Sequence, residues 1–235
     1  MKLVSFVCAA ALVFGCGGGG DKPEAKTADD VPETETGENR GAPAVSAEIG
    51  GLNADEVKET FAKSRGGLTQ CMHKGAKRVE FLGGDVEFFL KIDLEGKVTH
   101  AHLKRSTIGD RTTEKCMLDV LRSKSWPKPV GGEVGIAQSG IGFDMINDVR
   151  EPTEWSSDDA APGLDKLNGK LNACKHGKGG FEATLYVDTE GNVLAAGATP
   201  PDEEGEDSVD CIVDTLKGAT FPSPGSWPAK VTLSL

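Results

Sequence analysis

In DVEFFLKI apolar residues recur at every second position. Val86, Phe88, Leu90 and Ile92 are spaced two apart between Glu87, Phe89 and Lys91, the period of a strand with one buried face. DLEG follows as a hairpin turn, with Gly96 free to take positive φ. The return strand runs from Lys97 to about Lys104. Val98 and Leu103 have opposite parity, so burying both requires a bulge. On either side of this hairpin the period becomes helical. Asn53 with Glu56 marks a helix start, and Val57, Phe61, Leu68 and Cys71 fall near one face, with Gly66-Gly67 as a candidate break. A second helix starts near Asp110 to Thr112, carries Cys116, Met117, Val120 and Leu121 as its stripe, and ends at Trp126-Pro127. A last strand is predicted from about Glu133 to Phe143.

The chain then repeats itself. KIDLEGKV (Lys91 to Val98) and YVDTEGNV (Tyr186 to Val193) match at Asp, Glu, Gly and Val, an offset of 95 positions. The same offset carries Cys116 to Cys211, Asp119 to Asp214 and WPKP (Trp126 to Pro129) to FPSP (Phe221 to Pro224), a tandem duplication. In the second repeat Leu164, Leu167, Leu171 and Cys174 mark the first helix, and Phe181 to Asp188 with Asn192 to Ala198 the hairpin. Cys211, Ile212 and Leu216 mark the second helix, and Lys230 to Leu235 the last strand.

Cysteine spacing alone leaves three pairings among Cys71, Cys116, Cys174 and Cys211. Duplication selects one, because each repeat should close its own bridge: Cys71 with Cys116 and Cys174 with Cys211. The expected fold class is α+β: two tandem small domains, each a three-stranded antiparallel sheet with two helices on one face in the order α-β-β-α-β.

This order resembles the C-terminal domain of TonB. The cysteine pair, the D-x-E-G-x-V turn and the [WF]-P-x-P after the second helix resemble more closely still the C-terminal domain of the myxobacterial gliding proteins AgmX/PglI. The resemblance holds from about Leu52 to Asp144. The second repeat resembles it less closely, with ATPPDEEGEDS where the first has Ser106-Thr107, and together the resemblance covers most of the chain after Glu48. It implies periplasmic binding and coupling modules, with no catalytic residues to carry over.

The N-terminus changes the picture of where such modules sit. Leu3 to Phe14 is almost wholly apolar after Lys2. Twelve residues span roughly 18 Å of helix, short of the about 30 Å of a bilayer core, so the segment reads as a secretory signal. Val13-Phe14-Gly15-Cys16 resembles a bacterial lipobox, which implies that Cys16 becomes the first mature residue and carries the acyl chains. Gly17 after it favours the outer membrane by the same resemblance. Asp21 to Glu48 is rich in Asp, Glu, Thr, Ala and Pro and reads as a self-repelling spacer. The expected divisions are signal 1–15, lipidated cysteine and linker 16–50, first domain 51–144, linker 145–162 and second domain 163–235. The formal charge of −11 disfavours nucleic acid as a partner.

Three clusters are candidates for chemistry. Cys71-Met72-His73 and Cys174-Lys175-His176 each fall one ligand short of a closed zinc site once the second cysteine is counted. His100 and His102 share a strand face, but Ala195 and Gly197 stand at those positions in the second repeat, so a solvated face is the plainer reading. Pro201 to Asp207 gathers five carboxylates without regular calcium-ligand spacing. No nucleophile elbow, P-loop, dinucleotide fingerprint or zinc-protease motif is present. The expectation is therefore a non-enzyme without metal or cofactor. Its partner is an envelope protein or peptide that pairs with an exposed sheet edge, and it reaches the membrane through its lipid. A structural subunit of an envelope or gliding assembly and a periplasmic metal-binding protein are the alternatives. Trp155 is expected to dock on one repeat; Trp227 has no counterpart in the first.

Overall fold

The computed structural model describes residues 45–48 (backbone only), 51–176 and 179–235. The first strand, β1 (Val45–Glu48), precedes helix α1 (Ala54–Gly75). Asn53 caps α1 by accepting from the N–H groups of Asp55 and Glu56. Gly66-Gly67 does not break the helix. A Cβ on Gly67 would lie 2.8 Å from Cγ1 of Val120, so the bare backbone lets two helices approach closely.

Strand β2 (Gly84–Ile92) lies between β3 (Val98–Ser106) and β4 (Gly135–Phe143), both antiparallel to it. Helix α2 (Arg111–Arg122) connects β3 to β4. The bulge expected in the return strand occurs twice: β3 skips Thr99 and Lys104 in its pairing with β2. Val98, Ala101 and Leu103 thereby all reach the core side. There they join Phe61, Leu68, Phe88, Leu90, Leu121 and Trp126 beneath the two helices. Cys71 is bonded to Cys116, tying α1 to α2.

The second repeat follows the same course with a different entry. A two-residue strand, β5 (Thr153–Glu154), leads into α3 (Ser157–Leu164), which Ser156 and Asp159 start with a reciprocal capping box. The single helix expected here is split into α3, a 3₁₀ turn at Asp165–Leu167, and α4 (Asn168–Cys174). Pro162 and Gly163, both poor in helix interiors, precede the split. Strands β6 (Glu182–Val187) and β7 (Val193–Thr199), helix α5 (Val209–Lys217) and strand β8 (Ala229–Ser234) complete the repeat. Cys174 is bonded to Cys211.

The two repeated motifs are one device. Asp93 accepts from the N–H groups of Glu95 and Lys97, and Asp188 from those of Glu190 and Asn192. Each turn then ends on a positive-φ glycine, Gly96 or Gly191. The carbonyls of these glycines receive the backbone N–H of Trp126 (2.9 Å) and Phe221 (2.8 Å). The D-x-E-G turn and the aromatic before the proline thus lock the hairpin to the segment after the second helix.

Three expectations need correction. The sheets have four strands, not three: β1 extends the first as β1-β4-β2-β3, and β5 extends the second as β5-β8-β6-β7. β5 runs parallel to β8, so the second sheet is mixed. The segment 145–162 is not a plain linker, because it holds β5 and most of α3. Finally, both repeats belong to one compact unit. Tyr186 and Ala195 of the second repeat are buried in the core cluster of the first.

Candidate functional site: the seam and the outer sheet edges

The strand period decides what meets at the seam. Ala183, Leu185 and Val187 of β6 face their own helices, so Thr184 and Tyr186 face the other way, against the first repeat. Tyr186 is fully buried. Its hydroxyl donates to the carbonyl of Gly83 at 3.2 Å, its ring lies 5.4 Å from that of Phe81, and burial pushes its pKa upward. The Ser-Thr pair is used here as well. Thr107 Oγ1 accepts from the N–H of Asp85, while Ser106 Oγ donates to Glu114 Oε1 at 2.7 Å. Two glycines make the approach possible. Gly109 holds φ near 70° with Thr184 and Tyr186 against it, and on Gly197 a Cβ would overlap the Glu114 carboxylate. Strands β3 and β7 lie against one another across the seam.

Ion pairs clamp its rim. Arg111 donates to Asp210 (2.9 Å) and Glu206 (3.1 Å), and Lys115 pairs with Asp210 (2.6 Å). Lys91 pairs with Glu203, whose carboxylate is 3.6 Å from His100 Nδ1. Burial alone pushes the Arg111 pKa down, but its hydrogen bonds to Asp210 and Glu206 hold it above the usual value. Asp210 is held low by Lys115 and Arg111 against the opposing effect of burial, and Glu203 by its bond from Lys91. The acidic stretch Pro201 to Asp207 is thus not a freely solvated loop, since Glu203 and Glu206 bind the first repeat.

The histidine pair is not on a solvated face either. His102 is 5% exposed, stacks on Phe89 at 4.8 Å, and its Nδ1 lies 3.0 Å from Nε2 of His100. Burial, and then His100, lower its pKa to about 4. His73 and His176 are exposed, and the sulfurs beside them are consumed by the disulfides. Among the described residues no group of three or more His, Cys, Asp or Glu is placed to hold a metal ion, and no helix is long and apolar enough to cross a membrane. Cys16 lies outside the described residues.

A cleft of about 590 Å³ opens at one end of the seam, lined by Phe81, Asp85, Phe143, Asp144, Glu151 and Lys230 among others. Lys230 Nζ donates to the carbonyl of Gly83 at 2.7 Å and sits over the Tyr186 ring; burial lowers its pKa to about 8. Trp227, unexplained by the sequence, belongs to this end. Its indole N–H donates to the carbonyl of Glu151, Arg150 stacks over it, and its ring lies 6.4 Å from Phe81. Trp155 packs against the second core as expected.

The outer edges differ between the repeats. β1 lies antiparallel along β4 from Ile136 to Ser139. Ala137 sits opposite Leu90 in β2, as Val231 sits opposite Leu185 in β6, so these positions are equivalent. On β8, however, β5 pairs only with Ala229 and Lys230. Among the described residues no strand pairs with the outer side of Val231–Ser234, where Thr232 and Ser234 are exposed.

The chain matches no known protein-family description, no curated protein and no solved structure. The sequence pointed to the edges but missed the seam. Its signal was available: at the 95-residue offset Arg111 becomes Glu206 and Lys115 becomes Asp210, a reversal of charge in segments that share Cys116/Cys211, Asp119/Asp214 and Leu121/Leu216.

Proposed function

We propose that the protein is a non-catalytic lipoprotein, held at the outer membrane through Cys16, that binds extended segments of envelope proteins by strand addition. Its two modules, similar to the TonB and AgmX/PglI C-terminal domains, serve as the binding units. One observation carries this reading: β1 occupies the outer edge of β4, while the equivalent stretch of β8 has no such partner. An extended peptide gains backbone hydrogen bonds along such an edge and specificity from alternate side chains. Trp155 N–H bonds the carbonyl of Lys230, so Lys230, Thr232 and Ser234 direct their backbone groups outward. Thr232→Pro therefore removes one outward N–H and leaves the ladder to β6 intact.

Photo-cross-linking from position 232 in native envelopes, combined with capture by the full-length protein, tests the proposal. The expected result is a discrete partner kept by Thr232→Val and lost by Thr232→Pro. Equal capture by both variants overturns strand addition at β8. It leaves the second reading, a structural subunit, which the ion-paired seam favours because it ties the two repeats together.

A further inference from the structure

Glu114 is a fully buried carboxylate at the seam for which no ion pair is formed among the described residues. It sits in the first turn of α2, is fully buried, and has one oxygen bonded to Ser106 and the other, Oε2, without a partner. From the turn between β3 and α2 the backbone N–H of Gly109 also favours the ionised carboxylate. On its own helix Asp110 is paired with Arg78, and the Arg111 guanidinium is committed to Glu206 and Asp210 from the turn before α5 and from α5 itself. Lys115 is also on Asp210. From β3 comes only the Ser106 hydroxyl; from β6, the neutral Tyr186; from β7, Gly197, which has no side chain to offer. Lys230 of β8 is engaged by the Gly83 carbonyl.

Three cations, Arg78, Arg111 and Lys115, thus face three anions, Asp110, Glu206 and Asp210. An ionised Glu114 is a fourth anion with no counter-charge of its own, sharing Arg111 with Glu206 and Asp210, and β7 closes over it at Gly197. Moving the second repeat away at β7 admits water to the carboxylate, and it withdraws Tyr186 and Ala195 from the core of the first repeat.

We infer that the seam is a proton-controlled joint, held shut while Glu114 is protonated and loosened when it ionises. Burial raises the Glu114 pKa from its usual value of 4.5 to about 7, with the Ser106 bond opposing the rise. A group whose pKa is raised in the closed state holds that state most firmly below its open-state pKa. It loses the contribution as pH climbs to the closed-state value. Opening then uncovers β3 and β7 while leaving β2 and β8 paired.

Amide hydrogen exchange on the full-length protein, corrected for intrinsic rates, reads this directly. Relative to Glu114→Gln, so that the opposing titration of His102 at the same seam cancels, protection of β3 and β7 is expected to fall about tenfold between pH 6 and pH 8 and to level off above, while β2 and β8 keep theirs. Glu114→Gln, which stays neutral, should by itself show no fall over this range. Ser106→Ala provides an independent check should that variant not fold: loss of the bond that favours the ionised form should move the midpoint to higher pH. A pH profile unchanged by both variants, or equal loss of protection in all strands, would overturn the joint.

Discussion

Gly66 and Gly67 are neighbours in α1 with opposite requirements. Nothing lies within 4 Å of a Cβ built on Gly66, so Gly66→Ala should stabilise the protein by about 1 kcal/mol through helix propensity alone. Gly67→Ala instead presses on the stiff Val120 side chain and should cost about 1–3 kcal/mol, despite the same propensity gain. Urea denaturation of the two variants separates them. Sequence reasoning read the pair as a break because propensity is local, whereas the need for a bare backbone at Gly67 comes from a residue 53 positions away, Val120. His102 shows the same gap between local and tertiary information. Its two-residue spacing from His100 was legible; its burial under the second repeat was not. Because its pKa is depressed to about 4, the folded state resists a proton that the unfolded chain accepts near 6.5. The His102 contribution to stability is therefore full above about pH 6.5 and declines as pH falls toward 4, by up to about 3 kcal/mol, opposite in sign to that of Glu114 over the same range. In thermal melts the stability of His102→Gln relative to wild type should rise as pH falls from 6.5 toward 4; a difference independent of pH would place the titration elsewhere.

Among the elements, those with a long periodic signal were readable and the short ones were not. The hairpins, the bulged return strand and both disulfide pairs follow from alternation, parity and duplication. β1 and β5, four and two residues long, carry no period that distinguishes them from linker, and only the partner strand defines them. The disulfides bear unequally on the two repeats. Each closes a loop of similar size, with sequence separations of 45 and 37, so the unfolded-chain argument assigns each about 4 kcal/mol. Yet Cys71 leaves a capped helix of 22 residues, whereas Cys174 ends a helix of seven residues that has no side-chain cap. Replacing Cys174 and Cys211 by Ser should therefore abolish exchange protection in α4, while the same change at Cys71 and Cys116 lowers global stability with α1 still protected. Retained protection in α4 would show that Leu167 and Leu171 suffice to dock it.

At the scale of the whole molecule, positions 95 residues apart touch: Arg111 bonds Glu206, and Lys115 bonds Asp210. Equivalent residues meet in this way beside the two-fold axis of a homodimer, where each would face its own like charge. In a single chain carrying both copies the two sides are free to differ, and here they carry opposite signs. The charge reversal thus turns a contact that identical copies would resist into one that holds unlike copies in a fixed order. Arg111→Glu places a carboxylate against Glu206 and Asp210 at a site where the Arg111 side chain is 11% exposed, and should cost about 2–4 kcal/mol. Adding Glu206→Arg restores a cation to the cluster with the two repeats exchanging signs. The pair should recover more than half of the loss, a coupling of about 1–3 kcal/mol in a double-mutant cycle. If the two changes simply add, the clamp is a surface ornament and the repeats are held together by Tyr186 and its apolar neighbours alone. If they couple as expected, the opposite charges at equivalent positions are what make two copies of one fold behave as a single body.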